Sequence, residues 1–200
     1  MNKIITVGRE FGSGGRELGR RLAEELGIAY YDKEIVAEIA KRTALSETYI
    51  SQVVEQRPAT MFPITIGRSF YPRENIILEQ NCTIFQEQSR IIREMAAKSD
   101  CVIVGRCADY ILQEQNPIRI FVYAGMESKM KRCREKAEPQ ESLSDKELKQ
   151  HIQKVDKNRS RYYGFYTSQV WGDKANYDFC FNTTNLVIKD RIPAIANLLK

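Results

Sequence analysis

The fold of this chain is decided by the stretch IITVGREFGSGGREL, which runs from residue 4 to residue 18. Its first residues are β-branched and lead to a glycine, which predicts a short buried strand. After the glycines, leucine recurs every four residues from Leu18 to Leu26, which predicts an amphipathic helix that ends at Gly27. A strand, a glycine-rich turn and a helix in this order are the layout of a phosphate-binding loop.

The turn departs from the usual pattern of such loops, G-x-x-x-x-G-K-[ST]. Glycines suit the turn because the backbone must approach an anion closely and adopt conformations that a side chain forbids. Gly15, however, stands where the lysine is expected, and Arg16 after it could supply the positive charge through its forked guanidinium. The candidate phosphate-binding residues are Gly12, Ser13, Gly14, Gly15 and Arg16. The alternative is a glycine-rich turn that binds no ligand.

Composition limits the class of protein. The 200 residues fit one domain with a mobile subdomain, and the hydrophobic share of 42% and charged share of 28% are ordinary for a soluble protein. No long apolar run is present and the N-terminus leads directly into a strand, so we expect neither a membrane span nor a signal peptide. The net charge of +5 suits anionic small molecules and is too small to argue for nucleic acid.

The cysteines favour a reducing compartment. Their number is odd and no pair has metal-ligand spacing; they are Cys82, Cys101, Cys107, Cys133 and Cys180. We therefore expect free or buried thiols in the cytoplasm, and we assign no side chain to a metal site.

Four further segments predict strands because they are short apolar runs between helical patterns; they are residues 28–31, 101–104, 118–123 and 177–181. Apolar strands that alternate with helices imply a parallel sheet covered on both faces. We therefore predict a three-layer α/β fold of the P-loop NTPase type, with a five-stranded parallel sheet flanked by helices. Ligands in such sheets bind beyond the carboxyl ends of the strands, which selects the glycine turn, Asp32 and Arg106.

The predicted organisation is a single domain with an arm and a lid. We place the core at about 1–32 and 99–200; the family resemblance described below implies that about 33–98 is a helical substrate-binding arm and about 135–147 a lid. Within the arm, Arg57–Arg73 contains prolines, arginines and aromatic residues, which predicts irregular structure. This segment is either a surface excursion or a flap over a substrate.

The helix predicted after Ser144 carries charge beside its apolar stripe. Ser144 and Glu147 form a capping box at its start. Arg159 lies four residues past Val155 on the stripe, and Asp156 lies at the edge of the stripe, so both can face inward together. The pair is either structural or grips a polar substrate, with the arginine making a bidentate contact to phosphate.

A basic run precedes the lid and contains Lys129, Lys131, Arg132, Arg134 and Lys136. Such a run is usually a solvated helix face. Beside a phosphate loop, one or two of its members could instead close over a transferring phosphoryl group.

Together these segments resemble the cytidylate kinase-like family of P-loop nucleoside monophosphate kinases over essentially the whole chain. The matching segments are TVGREFGSGGR at 6–16, YDKE at 31–34, VGR at 104–106, VDKNRSRYY at 155–163, YD at 177–178 and NTT at 182–184. The combination of these segments is specific, whereas no single one of them is.

The resemblance implies ATP-dependent phosphorylation of a nucleoside monophosphate, with CMP or dCMP first and with Mg²⁺ bound through the phosphates. The positions that contact the monophosphate nucleotide in the family are matched by Asp32, Arg106, Asp156 and Arg159. The candidate catalytic residues are Arg16 in the loop and Arg132 and Arg134, which are nearest to the lid arginines of the family.

Two departures from the family pattern keep other functions open. Gly15 replaces the loop lysine, and Cys107 stands where an acidic residue is common. Positive charge around a transferring phosphoryl group lowers the barrier by several kcal/mol, so a loop without it predicts a weak kinase or none. The alternatives are a nucleotide-binding or regulatory protein that keeps the kinase fold, and a kinase of another small acceptor.

Overall fold

The computed structural model describes residues 2–53, 74–137 and 143–199, and within them it contains one five-stranded parallel sheet. The strands are β1 (Ile4–Arg9), β2 (Ala29–Tyr31), β3 (Cys101–Val104), β4 (Ile118–Tyr123) and β5 (Phe179–Asn182). They pair in the order β2-β3-β1-β4-β5, so β1 lies at the centre. The predicted α/β fold is confirmed.

Helices connect the strands and cover both faces of the sheet. Those of the described residues are α1 (Gly15–Leu26), α2 (Lys33–Thr43), α3 (Glu47–Val53), α4 (Glu74–Lys98), α5 (Ala108–Ile111), α6 (Met126–Lys136), α7 (Asp145–Thr167) and α8 (Ile192–Leu198). No helix in this described part is both long and apolar enough to cross a membrane.

Local sequence signals set several helix ends as predicted. Gly27 ends α1 in the left-handed region, with φ of 66°, and its N–H donates hydrogen bonds to the carbonyls of the last turn. Ser144 starts α7 through a capping box, because its Oγ accepts from Glu147 N while its own N–H donates to Glu147 Oε2 over 2.9 Å.

The central strand shows why the sheet is buried on both sides. Ile5 and Val7 are fully buried and pack with α1 and α8 on one face. Ile4 points the other way and packs with α2, α4 and α7. Burying each such side chain contributes about 2 kcal/mol, so the alternation within one strand fixes two layers of helices around the sheet.

The parallel arrangement brings the carboxyl ends of the strands to one edge. The glycine turn follows β1, Asp32 follows β2, and Gly105 and Arg106 follow β3. These segments are distant in the sequence, yet all three lie at that edge, which is where the prediction placed a ligand.

The last strand was predicted from Tyr177, but β5 begins at Phe179, because Tyr177 ends a 3-10 turn at Lys174–Asn176. Arg57–Arg73 lies outside the described residues, as do residues 138–142 of the predicted lid.

Candidate functional site

The glycine turn forms a cradle of backbone at the end of β1. Gly12 and Gly14 have φ of 72° and 83°, which side chains rarely adopt. A Cβ on Gly12 would lie 2.9 Å from the carbonyl oxygen of Lys129, and a Cβ on Gly14 would overlap Ile188 Cδ1. The cradle therefore needs glycine at both positions, and the N-terminus of α1 supplies N–H groups to an anion there.

Ser13 holds the turn from beneath. The side chain is fully buried, and its Oγ donates to the carbonyl of Glu10 over 2.8 Å. Its carbonyl accepts from Thr183 Oγ1 over 2.7 Å, which ties the turn to the end of β5. Ser13 is thus a support of the cradle.

The turn opens on a cleft of about 970 Å³ between the loop, α6 and α7. Most charged side chains on its wall are basic; they are Arg9, Arg16, Arg132, Arg134, Lys136 and Arg159. Glu10 and Glu17 are the acidic side chains among its described lining residues. A wall with this excess of positive charge attracts anions such as phosphates.

Arg16 and Asp32 form an ion pair at the base of the site. Arg16 Nε lies 2.5 Å from Asp32 Oδ2, with the Asp32 side chain 3% exposed and that of Arg16 54% exposed. The pair links the first turn of α1 to the end of β2. The guanidinium of Arg16 is therefore engaged with a buried carboxylate, which needs such compensation.

Asp156 lies close to the turn and contacts the protein itself. Its Oδ1 accepts from Phe11 N over 2.6 Å, and its Oδ2 lies 2.9 Å from Lys129 Nζ. Glu10 Oε2 lies 2.7 Å from the same nitrogen. The three charges tie the glycine turn to α6 and α7.

Lys129 belongs to the basic run that was interpreted either as a solvated helix face or as a source of charge for a phosphoryl group, and it is not solvated. Its side chain is 6% exposed. Burial alone would lower the pKa of Lys129, but its hydrogen bonds to Glu10 and Asp156 prevail and raise that pKa above the ordinary lysine value. The available signal was its position one helical turn before Cys133, on the inward face of α6.

Three arginines meet beside the cradle and line a second, small cavity. They are Arg9 at the end of β1, Arg106 after β3 and Arg159 on α7. Arg9 and Arg106 are buried, with 7% and 9% of their surface exposed. Arg159 Nη1 donates to the carbonyl of Arg9 over 3.3 Å. Arg106 and Arg159 were predicted as site residues from the sequence, whereas Arg9 was not.

Asp109 is a further charged group at this cavity that sequence analysis missed. It is buried, and the hydroxyl of Tyr163 donates to its Oδ2 over 2.7 Å. Burial raises the pKa of Asp109, against the opposing effect of that hydrogen bond. Cys107, two residues earlier, is buried too, and burial raises the pKa of its thiol. Cys107 therefore carries no thiolate that could act as a nucleophile.

The two predicted lid arginines differ in their surroundings. Arg132 donates to the carbonyls of Ser13, Thr183 and Leu186, so its guanidinium braces the underside of the turn. Arg134 forms an ion pair with Asp145 at the start of α7, and its side chain is half-exposed. Both line the cleft, and the partner of the second, Asp145, is exposed to solvent.

The residues present fit a polyphosphate better than a metal ion bound by protein. A Cβ on Gly14 would overlap Ile188 Cδ1, so glycine lets the turn pack closely on the protein and keep the conformation in which backbone N–H groups can bind an anion. Among the described residues, no group of three or more histidine, cysteine, aspartate or glutamate side chains could hold a metal. Arg16 also stands where P-loops carry the hydroxyl ligand of magnesium.

Comparison with protein families agrees with this arrangement. Residues 4–185 match the model of the cytidylate kinase-like family. The match covers every strand of the sheet and the segments that carried the resemblance, which is thereby confirmed. No curated protein matches the chain.

Solved structures share the fold along the whole chain. An uncharacterized protein from Eubacterium ventriosum has 29% identity and a TM-score of 0.70, and 98% of each chain is covered. Shikimate kinase from Bacteroides thetaiotaomicron has 15% identity and a TM-score of 0.58, covering 100% of this chain and 99% of that chain. Shikimate kinase from Acinetobacter baumannii, in complex with shikimate, has 17% identity and a TM-score of 0.53, and the match covers 100% of this chain and 93% of that chain. At these identities the two kinases are similar to this chain in fold alone.

Proposed function

Because the chain belongs to the cytidylate kinase-like family, we propose that it transfers the terminal phosphoryl group of ATP to a nucleoside monophosphate, with CMP or dCMP as the first candidates. The observation that carries the proposal is the glycine cradle at the end of β1, which opens on a cleft lined mainly by basic side chains. Anion binding by backbone N–H groups at a helix N-terminus is what a polyphosphate chain needs.

The cradle suits the phosphates of ATP, and the small cavity lined by Arg9, Arg106 and Arg159 suits the phosphate of the acceptor. ATP would place its phosphates over Gly12–Gly15, and the acceptor phosphate would lie near Arg106 and Arg159. A bond forms between an acceptor oxygen and the γ-phosphorus while the bond to the bridging oxygen breaks, and ADP leaves with that electron pair. The protein contributes positioning and charge, so no nucleophilic side chain is needed.

Magnesium would reach this site with ATP, coordinated by the phosphates rather than by a cluster of protein ligands, and it would neutralise their charge. The core at about 1–32 and 99–200 would hold ATP, with the arm at about 33–98 contacting the acceptor and the lid at about 135–147 closing over both. The free cysteines suit the cytoplasm as the place of action.

A second candidate function is nucleotide binding without efficient transfer. The observation in its favour is the ion pair between Arg16 and Asp32. Arg16 is the arginine beside the missing lysine, and Asp32 matches the carboxylate that contacts the acceptor in the family, so the pair engages both side chains with each other. A protein of this kind would keep the cradle and sense a nucleotide.

Release of ADP from Mg-ATP, measured with a panel of nucleoside monophosphates and other small acceptors, tests the proposal. Arg106→Met is expected to raise the KM for the acceptor about tenfold or more, because it removes a charged contact to phosphate. Arg20→Met is the matched control, since Arg20 pairs with Glu24 on the exposed face of α1.

Three outcomes are distinct. Turnover with one monophosphate supports the kinase, and saturable nucleotide binding without turnover supports the second function. If no nucleotide raises the melting temperature of the protein, both functions are rejected.

A further inference from the structure

We propose that Arg9 supplies the positive charge that the lysine supplies in other P-loops, and that its guanidinium contacts the phosphoryl group in transfer. This role rests on the proposed function, because phosphoryl transfer needs a cation at the place where other P-loops have the lysine. During transfer the bond from the γ-phosphorus to the bridging oxygen breaks as the bond to the acceptor oxygen forms, and Arg9 would neutralise charge on the phosphoryl oxygens.

The first observation is that Arg9 fills the place of the missing side chain. A Cβ built on Gly15 would overlap the Cβ of Arg9 and lie 3.1 Å from its Cγ. A lysine at position 15 would therefore start where the Arg9 side chain already runs. The glycine at this position makes room for an arginine that comes from the strand.

The second observation concerns the other end of the same side chain. A Cβ built on Gly105 would lie 2.7 Å from Arg9 Cζ and overlap its Nη1, so the guanidinium rests on the glycine that follows β3. Gly105 also has φ of 73°, which favours glycine. Two glycines thus shape a channel for one arginine, from the cradle to the carboxyl end of the neighbouring strand.

The third observation is that Arg9 borders two cavities. Arg9 lines both the cleft above the cradle and the small cavity that holds Arg106 and Arg159. A phosphoryl group passes between these regions when it moves from ATP to an acceptor. Arg9 also lies on the central strand and is buried, so it is already held in place before a ligand binds.

Two other cations near the turn, Arg16 and Lys129, are paired with carboxylates. Arg16 is ion-paired with Asp32, and Lys129 bridges Glu10 and Asp156. Arg16 would have to give up the buried carboxylate of Asp32 to reach a phosphate, and Lys129 would have to leave Glu10 and Asp156. The choice of Arg9 over Arg16, which the sequence pattern selected, rests on the path of the Arg9 side chain beside Gly15 and Gly105.

The test compares four proteins in Mg-ATP binding by calorimetry and in ADP release: the unchanged chain, Arg9→Met, Arg9→Lys and the control Arg20→Met. We expect Arg9→Met to lower kcat/KM about 100-fold, as loss of a donor to developing charge does. Arg9→Lys should retain part of the activity, and Arg20→Met should match the unchanged chain. The loss in affinity should be larger for ATP than for ADP, because the contact is to the last phosphate.

A reciprocal swap keeps the test independent of folding. Gly15→Lys alone should bind ATP poorly because its Cβ meets Arg9, whereas Arg9→Gly combined with Gly15→Lys removes the overlap and restores a cation. We expect kcat/KM of the double variant to be at least about tenfold higher than that of Arg9→Gly.

The outcomes separate the two proposals. If the unchanged chain binds no nucleotide, the proposed function fails and Arg9 has no such role. If the unchanged chain binds ATP and Arg9→Met binds it equally well, the role of Arg9 is wrong while the proposed function stands. A double variant no better than Arg9→Gly would also overturn the role of Arg9.

Discussion

Lys129 and Asp156 form an ion pair that joins α6 to α7, with 2.9 Å between the buried Lys129 Nζ and the partly buried Asp156 Oδ2. The same carboxylate accepts the N–H of Phe11, and the same ammonium lies 2.7 Å from Glu10. The pair thus contacts two consecutive residues at the start of the glycine turn, and the geometry of the cradle depends on it.

Lys129→Met is expected to lower the free energy of unfolding by about 3 kcal/mol, because it leaves two carboxylates together without their cation. Urea unfolding measures the change. Lys131→Met is the control, since Lys131 is exposed on the same helix. Its free energy of unfolding should lie within about 0.5 kcal/mol of that of the unchanged chain. Equal stability of the two variants would show that the pair does not hold the site.

The sequence predicted the framework of the site because backbone rules decide it. Apolar strands between helices imply a parallel sheet, and the strand ends then bring Asp32 and Arg106 to one edge. The role of Lys129 could not be predicted, because its partner Asp156 lies 27 residues away and the pairing depends on how two helices pack. Arg9 was missed for a similar reason, since its path depends on the empty space beside glycines in two different strand-to-helix connections.

Gly14→Ala is expected to destabilise the protein by about 3 kcal/mol and to abolish ATP binding. Its φ of 83° is unfavourable for alanine, and the added Cβ would overlap Ile188 Cδ1. Gly27→Ala is the matched control: its φ is also positive, but no atom lies within 4 Å of the added Cβ. Gly27→Ala should lower the free energy of unfolding by about 1 kcal/mol and leave ATP binding unchanged.

Ile188→Val sharpens this comparison because it removes the atom that the new Cβ would meet. The cost of Gly14→Ala should be smaller in the Ile188→Val background, by about 1 kcal/mol in a double-mutant cycle. A cycle with no coupling would mean that backbone strain alone explains the loss.

The raised pKa of Asp109 predicts how stability depends on pH. Above the ordinary aspartate value of 3.8 and below the raised value, the folded protein holds a proton that the unfolded chain has lost. Unfolding then releases protons, so this group makes the free energy of unfolding fall as pH rises through that window. The steepest fall that one such carboxyl group can cause is about 1.4 kcal/mol for each step of one in pH.

Asp109→Asn removes this dependence and keeps an oxygen that accepts from Tyr163. The stability of Asp109→Asn relative to the unchanged chain should therefore rise with pH, measured by urea unfolding between about pH 5 and about pH 8. Asp178→Asn is the control, because the hydrogen bond from Arg119 lowers the pKa of Asp178. This carboxyl is ionised in both the folded and the unfolded chain over the measured range, so the stability of Asp178→Asn relative to the unchanged chain should not vary with pH. A difference between Asp109→Asn and the unchanged chain that does not vary with pH would show that Asp109 is ionised throughout.

The two predicted lid arginines should separate in experiment. Arg132→Met should lower the free energy of unfolding by about 2 kcal/mol, because the carbonyls of Ser13, Thr183 and Leu186 lose their donor. Arg134→Met breaks an exposed ion pair and should stay within about 0.5 kcal/mol in stability.

If Arg134 acts on the phosphates, Arg134→Met should lower kcat/KM about tenfold without a change in stability. Asp145→Asn is the matched control, because it breaks the same ion pair and leaves the guanidinium in place. Its kcat/KM should equal or exceed that of the unchanged chain, since the arginine is then released toward the cleft. An equal loss in both variants would mean that the pair positions the start of α7 and that Arg134 does not contact the phosphates.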